Sequence, residues 1–344
     1  MSKVVKIGKI SIGGGNRIAV QSMTNTPTLD WGKTLEQLLA LQSVGCDIAR
    51  IAVSSDEEVK ACKNLIGKVD MPLVADIQFD YTHAIKCADI GFDKIRFNPG
   101  YVDGDGKIKA VVDACKSNGV PIRVGVNSGS LDKEITAKFG GATALAESAL
   151  KHVAILEKFG FYDTVISVKS SSVKTMVDAY KYINSKCDYP LHLGVTESGG
   201  WERGIIKSSA GIGSLLLDGI GDTIRVSLSA HPCEEIKASK LLLNAVGLDD
   251  EQIQIVSCPT CSRCNYDLIG LVEKIESEFS GYPKKIKLAV MGCAVNGPGE
   301  AKDADIAFCG KPDGTLALFI NGKIVKTVEY NDALNEISKI INEK

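Results

Sequence analysis

The 344-residue sequence has no long run of apolar residues, no low-complexity segment and no excess of charge of one sign. Its longest apolar runs, at residues 215–217 and 286–290, are far too short to cross a bilayer. The amino terminus has neither an apolar stretch nor a small-residue cleavage site, so we expect no signal peptide and a cytoplasmic location. The formal net charge of −2 gives no general attraction for nucleic acid or anionic membranes. Any anion site must therefore arise from the local placement of arginine and lysine.

Cysteine, by contrast, is abundant, with eleven residues in the chain. Disulfides are not expected in a reducing compartment. Most of the cysteines occur singly, and we interpret these as small buried apolar residues. They are Cys46, Cys62, Cys87, Cys115, Cys187 and Cys233. The closely spaced Cys258, Cys261 and Cys264, followed by Cys293, form a different pattern that suggests a site.

A short apolar segment followed by a longer helical pattern recurs along the first part of the chain. Eight segments rich in valine and isoleucine are predicted strands. They span residues 18–22, 48–53, 73–77, 94–98, 122–127, 164–168, 191–196 and 223–227. Amphipathic stretches between them, such as 34–44 and 142–159, have helical spacing. Strand–helix alternation predicts a parallel sheet, and eight units favour a (β/α)8 barrel of the TIM type over an open doubly wound sheet. We assign this barrel to residues 1–247.

Residues 248–344 are predicted to form a second, small α+β domain. A helix is expected at 268–279 and strands at 286–291, 304–309, 315–320 and 323–328. Asn321-Gly322, between the last two strands, predicts a type I′ hairpin because both residues accept a positive φ. Asn331 is predicted to cap a closing helix.

Polar side chains fall where the carboxyl ends of the predicted barrel strands meet, which is where barrel enzymes carry out their chemistry. Arg50, Arg96, Arg123, Lys169 and Arg225 place five cations there, from five strands. A compact polyanion such as a diphosphate would match this set, since arginine binds it through charge-assisted hydrogen bonds. The alternative is that each arginine simply pairs with a nearby carboxylate.

Glu197 is the one carboxylate expected at the end of the seventh strand. It could act as a general acid or base, or hold an arginine in place. The sequence alone does not separate these roles.

The cysteine pattern suits either zinc or an iron–sulfur cluster. Cys258 and Cys261 form a C-x2-C pair, and Cys293 follows 32 residues later. Zinc would need a closing ligand, for which Cys264 or His231 is available. A cluster tolerates a replaceable fourth ligand, and the amides of the glycine-rich loop 296–299 suit hydrogen bonds to its sulfurs, so the pattern favours the cluster. The C-x3-C-x2-C spacing of radical-SAM barrels is absent.

Eight segments together resemble the bacterial 4-hydroxy-3-methylbut-2-enyl diphosphate synthases, enzymes of the methylerythritol phosphate route to isoprenoids, in their short two-domain form. The matching segments are residues 20–26, 75–77, 95–100, 123–130, 191–197, 224–228, 258–261 and 291–300. The resemblance implies reductive ring opening and dehydration of 2-C-methyl-D-erythritol 2,4-cyclodiphosphate to the linear allylic diphosphate. It also implies reduced ferredoxin or flavodoxin as electron donor, and a head-to-tail homodimer.

The same resemblance implies roles for individual residues. The [4Fe–4S] cluster would be held by Cys258, Cys261, Cys293 and Glu300. Glu197 would lie at the substrate. The diphosphate would be bound by Arg50, Arg96, Arg123, Asn127, Lys169, Arg225 and Ser227.

Two residues depart from the family pattern. Gln78 stands where many members carry histidine, and Cys264 is additional to the usual motif; we predict that Cys264 is not a ligand. Two other functions fit the residues themselves. One is a zinc-stapled barrel that binds phosphorylated ligands without redox activity, and the other is a cluster enzyme of the same architecture acting on another diphosphate.

Overall fold

The computed structural model describes residues 1–128, 131, 133–249, 252–279, 282, 284–295 and 297–343, and only the backbone of Lys133, Glu134 and Glu343. Gly129, Ser130 and Asn296, which belong to the motifs above, lie outside the described residues. The chain divides into two compact units, Met1–Val246 and Gly247–Lys344. Within the described ranges, no helix has the length and apolar character needed to cross a membrane.

Residues 5–12 form an antiparallel hairpin that the sequence pattern did not predict. Its strands, β1 (Val5–Ile7) and β2 (Ile10–Ile12), have three residues each, too few for an alternating pattern to stand out. Val5, Ile7 and Ile12 of the hairpin are nonetheless buried.

The rest of the first unit is a barrel of eight parallel strands surrounded by helices, which confirms the predicted fold class. Its strands are β3 (Ala19–Met23), β4 (Ile48–Val53), β5 (Leu73–Ile77), β6 (Lys94–Arg96), β7 (Ile122–Asn127), β8 (Thr164–Lys169), β9 (His192–Leu193) and β10 (Thr223–Ile224). They pair in the order β8-β7-β6-β5-β4-β3-β10-β9. A parallel bridge between Ile166 and Leu191 then joins β8 to the residue before β9 and closes the ring.

Three barrel strands are shorter than predicted, because other hydrogen bonds replace the ladder near their carboxyl ends. β6 ends at Arg96, and beyond it the Asn98 side chain bonds the Gly125 backbone. β9 and β10 have two residues each. Beyond them, Ser198 Oγ donates to the Ser227 carbonyl at 2.8 Å. The ladder therefore gives way to side-chain contacts where the strands open.

Helices connect the strands on the outside of the barrel. They are α1 (Trp31–Ser43), α2 (Asp56–Cys62), α3 (Tyr81–Ile90), α4 (Asp105–Asn118), α5 (Lys133–Lys138), α6 (Gly141–Lys158), α7 (Val173–Asn184), α8 (Trp201–Ser208), α9 (Ser214–Leu217) and α10 (Pro232–Ala245). A π-helical segment, Ser209–Gly213, joins α8 to α9. Local sequence sets several ends: Ser55 caps α2 by accepting from Glu58 N–H, and Gly119, with φ +64°, ends α4.

The hairpin of β1 and β2 packs on the amino ends of the barrel strands. Its buried side chains join one apolar cluster with residues near the beginnings of four strands: Ala19, Ile48, Val74 and Val165. Side chains alternate along a strand, and these four residues lie an even number of positions before the polar residues that line the cavity. They therefore point into the barrel as well. The amino-terminal end of the barrel interior is therefore filled with apolar side chains.

The second unit is α+β, as predicted. It contains β11 (Gln254–Ser257), α11 (Leu268–Phe279), β12 (Lys287–Met291), α12 (Gly297–Lys302), β13 (Ile306–Gly310), β14 (Leu316–Ile320), β15 (Lys323–Val328) and α13 (Ala333–Glu343). The sheet order is β11-β12-β13-β14-β15, parallel through β13 and antiparallel after it. Leu271, Ile275 and Ile337 of the helices are buried in the apolar core with the sheet.

Two local predictions for the second unit had different outcomes. Asn321 and Gly322 have φ of +47° and +75°, which confirms the turn between β14 and β15. The cap predicted at Asn331 is wrong. Asn331 lies inside a 3-10 turn, Tyr330–Asp332, that runs directly into α13.

Candidate functional site

A cavity of about 270 Å³ opens at the carboxyl ends of the barrel strands. We call it the cation pocket. Its lining is almost entirely polar and consists of Met23, Arg50, Asp76, Gln78, Arg96, Arg123, Gly125, Asn127, Ser167, Lys169, Thr196, Arg225 and Ser227. The seven residues that the resemblance assigns to the diphosphate all lie in this lining.

Strand alternation brings these side chains together. On β7, Arg123, Gly125 and Asn127 are two residues apart and all line the pocket; on β8, Ser167 and Lys169 do the same. The apolar residues between them face the surrounding helices and are buried there. The sequence thus builds the pocket by placing polar residues at alternate positions near each strand end.

Asp76 lies between two of the arginines. Its two carboxylate oxygens are each 3.5 Å from a guanidinium Nε, one of Arg50 and the other of Arg96. Burial alone would raise the pKa of Asp76, but the positive charges of Arg50, Arg96, Arg123 and Lys169 together hold that pKa below its ordinary value. Asp76 therefore remains a carboxylate at neutral pH.

Arg225 has a separate partner, Glu235 of α10. The pair is bidentate, with Arg225 Nε 3.0 Å from Oε2 and Nη2 2.9 Å from Oε1. Glu235 is almost wholly buried. The sequence pattern did not indicate it, because it lies on a helix ten positions beyond Arg225 rather than at a strand end.

Arg123 and Lys169 have no carboxylate within ion-pair distance in the part of the chain that the structure describes. Arg123 is buried, and its Nε and Nη1 find no hydrogen-bond partner among the described residues. Burial lowers the pKa of Lys169 well below its ordinary value, and the charges of Arg50, Arg225 and Arg123 lower it further. The alternative of simple pairing thus accounts for three of the four arginines but not for these two cations.

The described lining and its contacts therefore contain five basic groups and two carboxylates, Asp76 and Glu235, which gives an excess of three positive charges if all seven groups are ionised. Such an excess in a partly buried cavity favours a polyanionic ligand. A compact group with several oxygens could contact several of these donors at once.

Met23 also lines the pocket, although the sequence pattern did not indicate a role for it. Its sulfur accepts from Arg50 Nε at 3.1 Å and from Arg50 Nη2 at 2.9 Å. Arg225 Nη1 lies 3.9 Å from the same sulfur. The thioether therefore separates two guanidinium groups that would otherwise face each other.

Below the pocket lies a buried polar layer that was likewise not predicted. Lys94 is fully buried, and its Nζ lies 3.4 Å from Gln21 Oε1. His192 Nδ1 lies 2.7 Å from Thr223 Oγ1. Burial lowers the pKa of Lys94 well below its ordinary value, with smaller contributions from Arg123 and Arg50. A strand-initial lysine gave no sequence signal that its side chain points into the barrel.

Glu197 is exposed, and it does not line the cation pocket, although Thr196 before it does. Its φ is +54°, in the left-handed region that few side chains other than glycine adopt. The backbone thus turns sharply where the chain leaves the pocket. Of the residues that the resemblance assigns to the barrel, this is the one that the structure keeps apart from the others.

In the second unit, two thiols lie close to the backbone of Gly292. The Gly292 N–H donates to Cys258 Sγ at 3.2 Å. A Cβ on Gly292 would lie 3.1 Å from Cys264 Sγ and 3.3 Å from Cys258 Sγ, so a side chain at this position would crowd both thiols. Hydrogen bonds to the sulfurs tune the potential of iron–sulfur clusters, so this N–H donor beside a cysteine fits such a site.

The four predicted ligands are not assembled around a common point. Cys261 and Glu300 are exposed, whereas Cys258 and Cys293 are half-buried. Among the residues that the structure describes, no three His, Cys, Asp or Glu side chains are grouped closely enough to hold a metal ion. The ligand set therefore stays a prediction.

None of the eleven cysteines, all of which lie in the described part of the chain, is in a disulfide. Cys46, Cys62, Cys87 and Cys115 are buried in the barrel, as predicted, but Cys187 and Cys233 are only partly buried. Cys309, to which the sequence analysis gave no role, is buried near the predicted cluster ligands. Burial, with a contribution from Cys293 and Cys258, raises the pKa of its thiol to about 12.

Two family models match the chain. The GcpE TIM-barrel domain matches residues 2–240, and the GcpE protein C-terminal domain matches residues 254–343. Solved structures show likeness to the barrel. Dihydropteroate synthase from Yersinia pestis aligns with a TM-score of 0.52 at 14% identity, over 72% of this chain and 100% of that one. Type I 3-dehydroquinate dehydratase from Clostridium difficile gives 0.51 at 15%, over 72% and 99%. At such identities the likeness concerns the fold alone.

Curated relatives match along nearly their whole length. Proteins named 4-hydroxy-3-methylbut-2-en-1-yl diphosphate synthase (flavodoxin) are similar to this chain in several bacteria. That of Clostridium perfringens is 51% identical over 99% of this chain and 98% of its own. That of Fusobacterium nucleatum is 49% identical over 99% and 97%. With both domain models matched and such relatives over its full length, the chain belongs to the GcpE family of 4-hydroxy-3-methylbut-2-en-1-yl diphosphate synthases.

Proposed function

We propose that the protein is an oxidoreductase that converts 2-C-methyl-D-erythritol 2,4-cyclodiphosphate to (E)-4-hydroxy-3-methylbut-2-enyl diphosphate in isoprenoid biosynthesis. A ring carbon–oxygen bond breaks and a hydroxyl leaves as water. Counted on the neutral acids, two electrons and two protons are taken up for each substrate molecule. The names of the relatives support this reaction.

The observation that carries the proposal for this chain is the charge of the cation pocket. Five cationic side chains and one carboxylate, Asp76, line a cavity of about 270 Å³ at the carboxyl end of a barrel, and Glu235 pairs with one of those cations, Arg225. A cyclic diphosphate is small, has many acceptor oxygens and carries several negative charges. Its binding would supply the counter-charge that Arg123 and Lys169 lack among the described residues.

Each part of the pocket has a proposed task. Arg123 and Lys169, which have no acidic partner there, would contact the phosphate oxygens most directly. Arg50 and Arg96, both held by Asp76, would receive the outer oxygens. Arg225 would approach from the last strand, with Asn127 and Ser227 as neutral hydrogen-bond donors.

The proposed cofactor is a [4Fe–4S] cluster, and Cys258, Cys261, Cys293 and Glu300 would hold it. The N–H of Gly292 would donate to the sulfur of Cys258 in that site, as it does here. When bound, such a cluster supplies electrons and a Lewis-acidic iron. The cytoplasmic location expected from the sequence is part of the proposal.

Flavodoxin is the proposed electron donor, because the relatives' names specify it, and ferredoxin is the alternative. A head-to-tail homodimer remains a proposal that rests on the family resemblance. Glu197 is proposed to act on the substrate as a general acid or base. Its exposure leaves the carboxylate accessible to a ligand that extends beyond the cation pocket.

The experiment that tests the proposal begins with iron, sulfide and zinc content and a visible spectrum, all on protein isolated without oxygen. We expect brown protein with about four irons and four sulfides per chain. It should convert the cyclic diphosphate when reduced flavodoxin is present and not when flavodoxin is omitted.

The zinc-stapled binding barrel is not favoured, because the family to which the chain belongs carries the name of a synthase. Colourless protein with one zinc, and no cluster after reconstitution, would overturn the redox proposal. Brown protein that leaves the cyclic diphosphate unchanged would point to a different diphosphate substrate.

A further inference from the structure

Glu235 is a buried carboxylate to which the family resemblance assigns no role. Each of its two oxygens accepts two hydrogen bonds. The residue is 3% exposed. Its Oε2 accepts from Arg225 Nε at 3.0 Å and from Ser22 Oγ at 2.7 Å. Its Oε1 accepts from Arg225 Nη2 at 2.9 Å and from the Leu228 N–H at 3.1 Å. Four donors on one carboxylate fix its position closely.

These donors come from separate parts of the barrel. Ser22 lies on β3, the first barrel strand, and Arg225 directly follows β10, the last. These two strands are paired neighbours, with Thr223 opposite Ala19. Leu228 lies in the loop that leads from β10 to α10, one residue after Ser227. Glu235 therefore connects the first and last barrel strands of the chain, which lie side by side.

The pair with Glu235 also sets the direction of the Arg225 guanidinium. That group is a rigid plane whose five N–H bonds point in fixed directions. The edge formed by Nε and Nη2 is occupied by the carboxylate. The opposite edge, with Nη1, points toward Met23 and the pocket lining. Glu235 thus decides which edge of Arg225 meets a ligand.

We propose that Glu235 is a positioning residue for the diphosphate. It holds the guanidinium of Arg225 in the orientation that receives a phosphate group, and through the Leu228 N–H it holds the backbone that carries Ser227. This inference rests on the proposed function, since it requires a diphosphate in the cation pocket.

Asp76 provides the contrast. Its oxygens are 3.5 Å from the nearest Arg50 and Arg96 nitrogens, so it balances charge without a bidentate bond. If Glu235 only balanced charge, any carboxylate at that position would serve. If it orients Arg225, the reach of the side chain matters as well as its charge.

The variants Glu235→Gln and Glu235→Asp separate these two roles. Glutamine keeps the shape but has one acceptor oxygen, and its NH₂ would face an N–H of Arg225. Aspartate keeps the charge but is one methylene shorter and cannot reach both nitrogens from the same backbone position. The matched control is Glu234→Gln, the neighbouring residue on α10, which is not among the pocket-lining residues.

The measurement is binding of inorganic diphosphate to cluster-loaded protein by titration calorimetry without oxygen, together with kcat and KM for the cyclic diphosphate. We expect Glu235→Gln to weaken diphosphate binding roughly 10- to 100-fold, as expected for loss of a charged, oriented contact. Glu235→Asp should weaken it several-fold, and Glu234→Gln should bind like wild type. In both Glu235 variants KM should rise more than kcat falls, with unchanged iron content.

A double variant tests whether Glu235 acts through Arg225. Arg225→Ala alone should weaken diphosphate binding strongly. Adding Glu235→Gln to it should cause little further loss, about twofold or less, because the group being positioned is already gone.

The outcomes separate this inference from the proposed function. If Arg225→Ala weakens binding but Glu235→Asp binds like wild type, the positioning role is overturned and the proposed function stands. If wild-type protein binds no diphosphate and does not convert the cyclic substrate, the proposed function fails and the inference with it. If Glu235→Gln does not fold, Glu235→Asp gives the decision by itself.

Discussion

The Asn98 side chain makes two hydrogen bonds with the backbone of Gly125, accepting from its N–H at 2.8 Å and donating to its carbonyl at 2.6 Å. The amide thereby takes the place of a backbone partner on β6 beside β7. Arg96 Nη2 donates to the same carbonyl at 2.8 Å. One backbone group of β7 thus helps to place a cation of the pocket.

Asn98→Ala should therefore lower stability and disturb ligand binding. The buried Gly125 N–H loses its partner while the carbonyl keeps Arg96, and the free energy of unfolding should fall by about 1–3 kcal/mol. Urea unfolding measures this. The control Asn118→Ala, on an exposed helix end, should change it by about 0.5 kcal/mol or less. Equal effects of the two substitutions would contradict the role of Asn98.

Diphosphate binding should raise the pKa of Lys169, and at a pH between the free-protein and bound values this side chain should take up a proton. Burial lowers the pKa of this ammonium in the free protein, followed in size by the charges of Arg50, Arg225 and Arg123, while Glu235 acts in the opposite direction. A bound polyanion favours the charged form and raises that pKa. Affinity should then fall as the pH rises from the free-protein pKa to the bound one.

Titration calorimetry in two buffers of different ionisation enthalpy measures this proton. The ligand's own protonation is common to wild type and Lys169→Met, so the difference between them isolates Lys169. Identical proton uptake by the two proteins would refute the prediction.

Lys94→Met should stabilise the fold. The pKa of Lys94 lies well below 10.5 because of burial, with Arg123 and Arg50 adding to the effect. Between its folded pKa and about 10.5 the unfolded chain binds more protons than the folded one, so stability rises with pH over that interval. The cost of burying this amine is therefore largest below the folded pKa and vanishes as the pH approaches about 10.5.

Replacement by methionine should raise the free energy of unfolding at pH 7 by about 1–3 kcal/mol. Urea unfolding at pH 7 and pH 10 tests both the gain and its decline with pH. Lys68→Met, at an exposed position, is the control and should show neither effect. A destabilised Lys94→Met protein would mean that the bond to Gln21 outweighs the burial.

Cys264 and Cys261 should differ in their effect on the cluster. Cys264 Sγ contacts the Tyr266 carbonyl at 3.3 Å, a bond that uses the thiol hydrogen. Cys264→Ser should keep full iron and sulfide content, whereas Cys261→Ser, in the same loop, should lose most of it. Iron analysis and visible absorbance read this out directly, and loss of iron in Cys264→Ser would make Cys264 a ligand.

Much of the barrel could be predicted because its signals are local. The bounds of β4, β5 and β7 agree with the sequence pattern to the residue, since valine and isoleucine runs end there at polar residues. The Asn321-Gly322 turn was predictable for the same reason. The lengths of β9 and β10 were overestimated, because the hydrogen bonds that replace their ladders join residues about thirty positions apart in the sequence.

The unpredicted parts of the site depend on contacts that form only when the barrel closes. Glu235 is one of several acidic residues at the start of a helix, and only the closed barrel brings it to Arg225 and Ser22. Lys94 begins its strand, where a lysine ordinarily meets solvent, and only the closed ring buries it. The five cations were predictable because they stand at predicted strand ends.

The apolar hairpin at the amino ends of the barrel strands has a kinetic consequence. Val5, Ile7 and Ile12 close that end of the barrel, so within the described part of the first unit a ligand reaches the cation pocket from the carboxyl end. The pocket is thus a cavity that is open at one end. A product that keeps its diphosphate must leave by the route through which the next substrate arrives. Product must then dissociate through this opening before the next substrate can bind, and accumulated product should act as a competitive inhibitor.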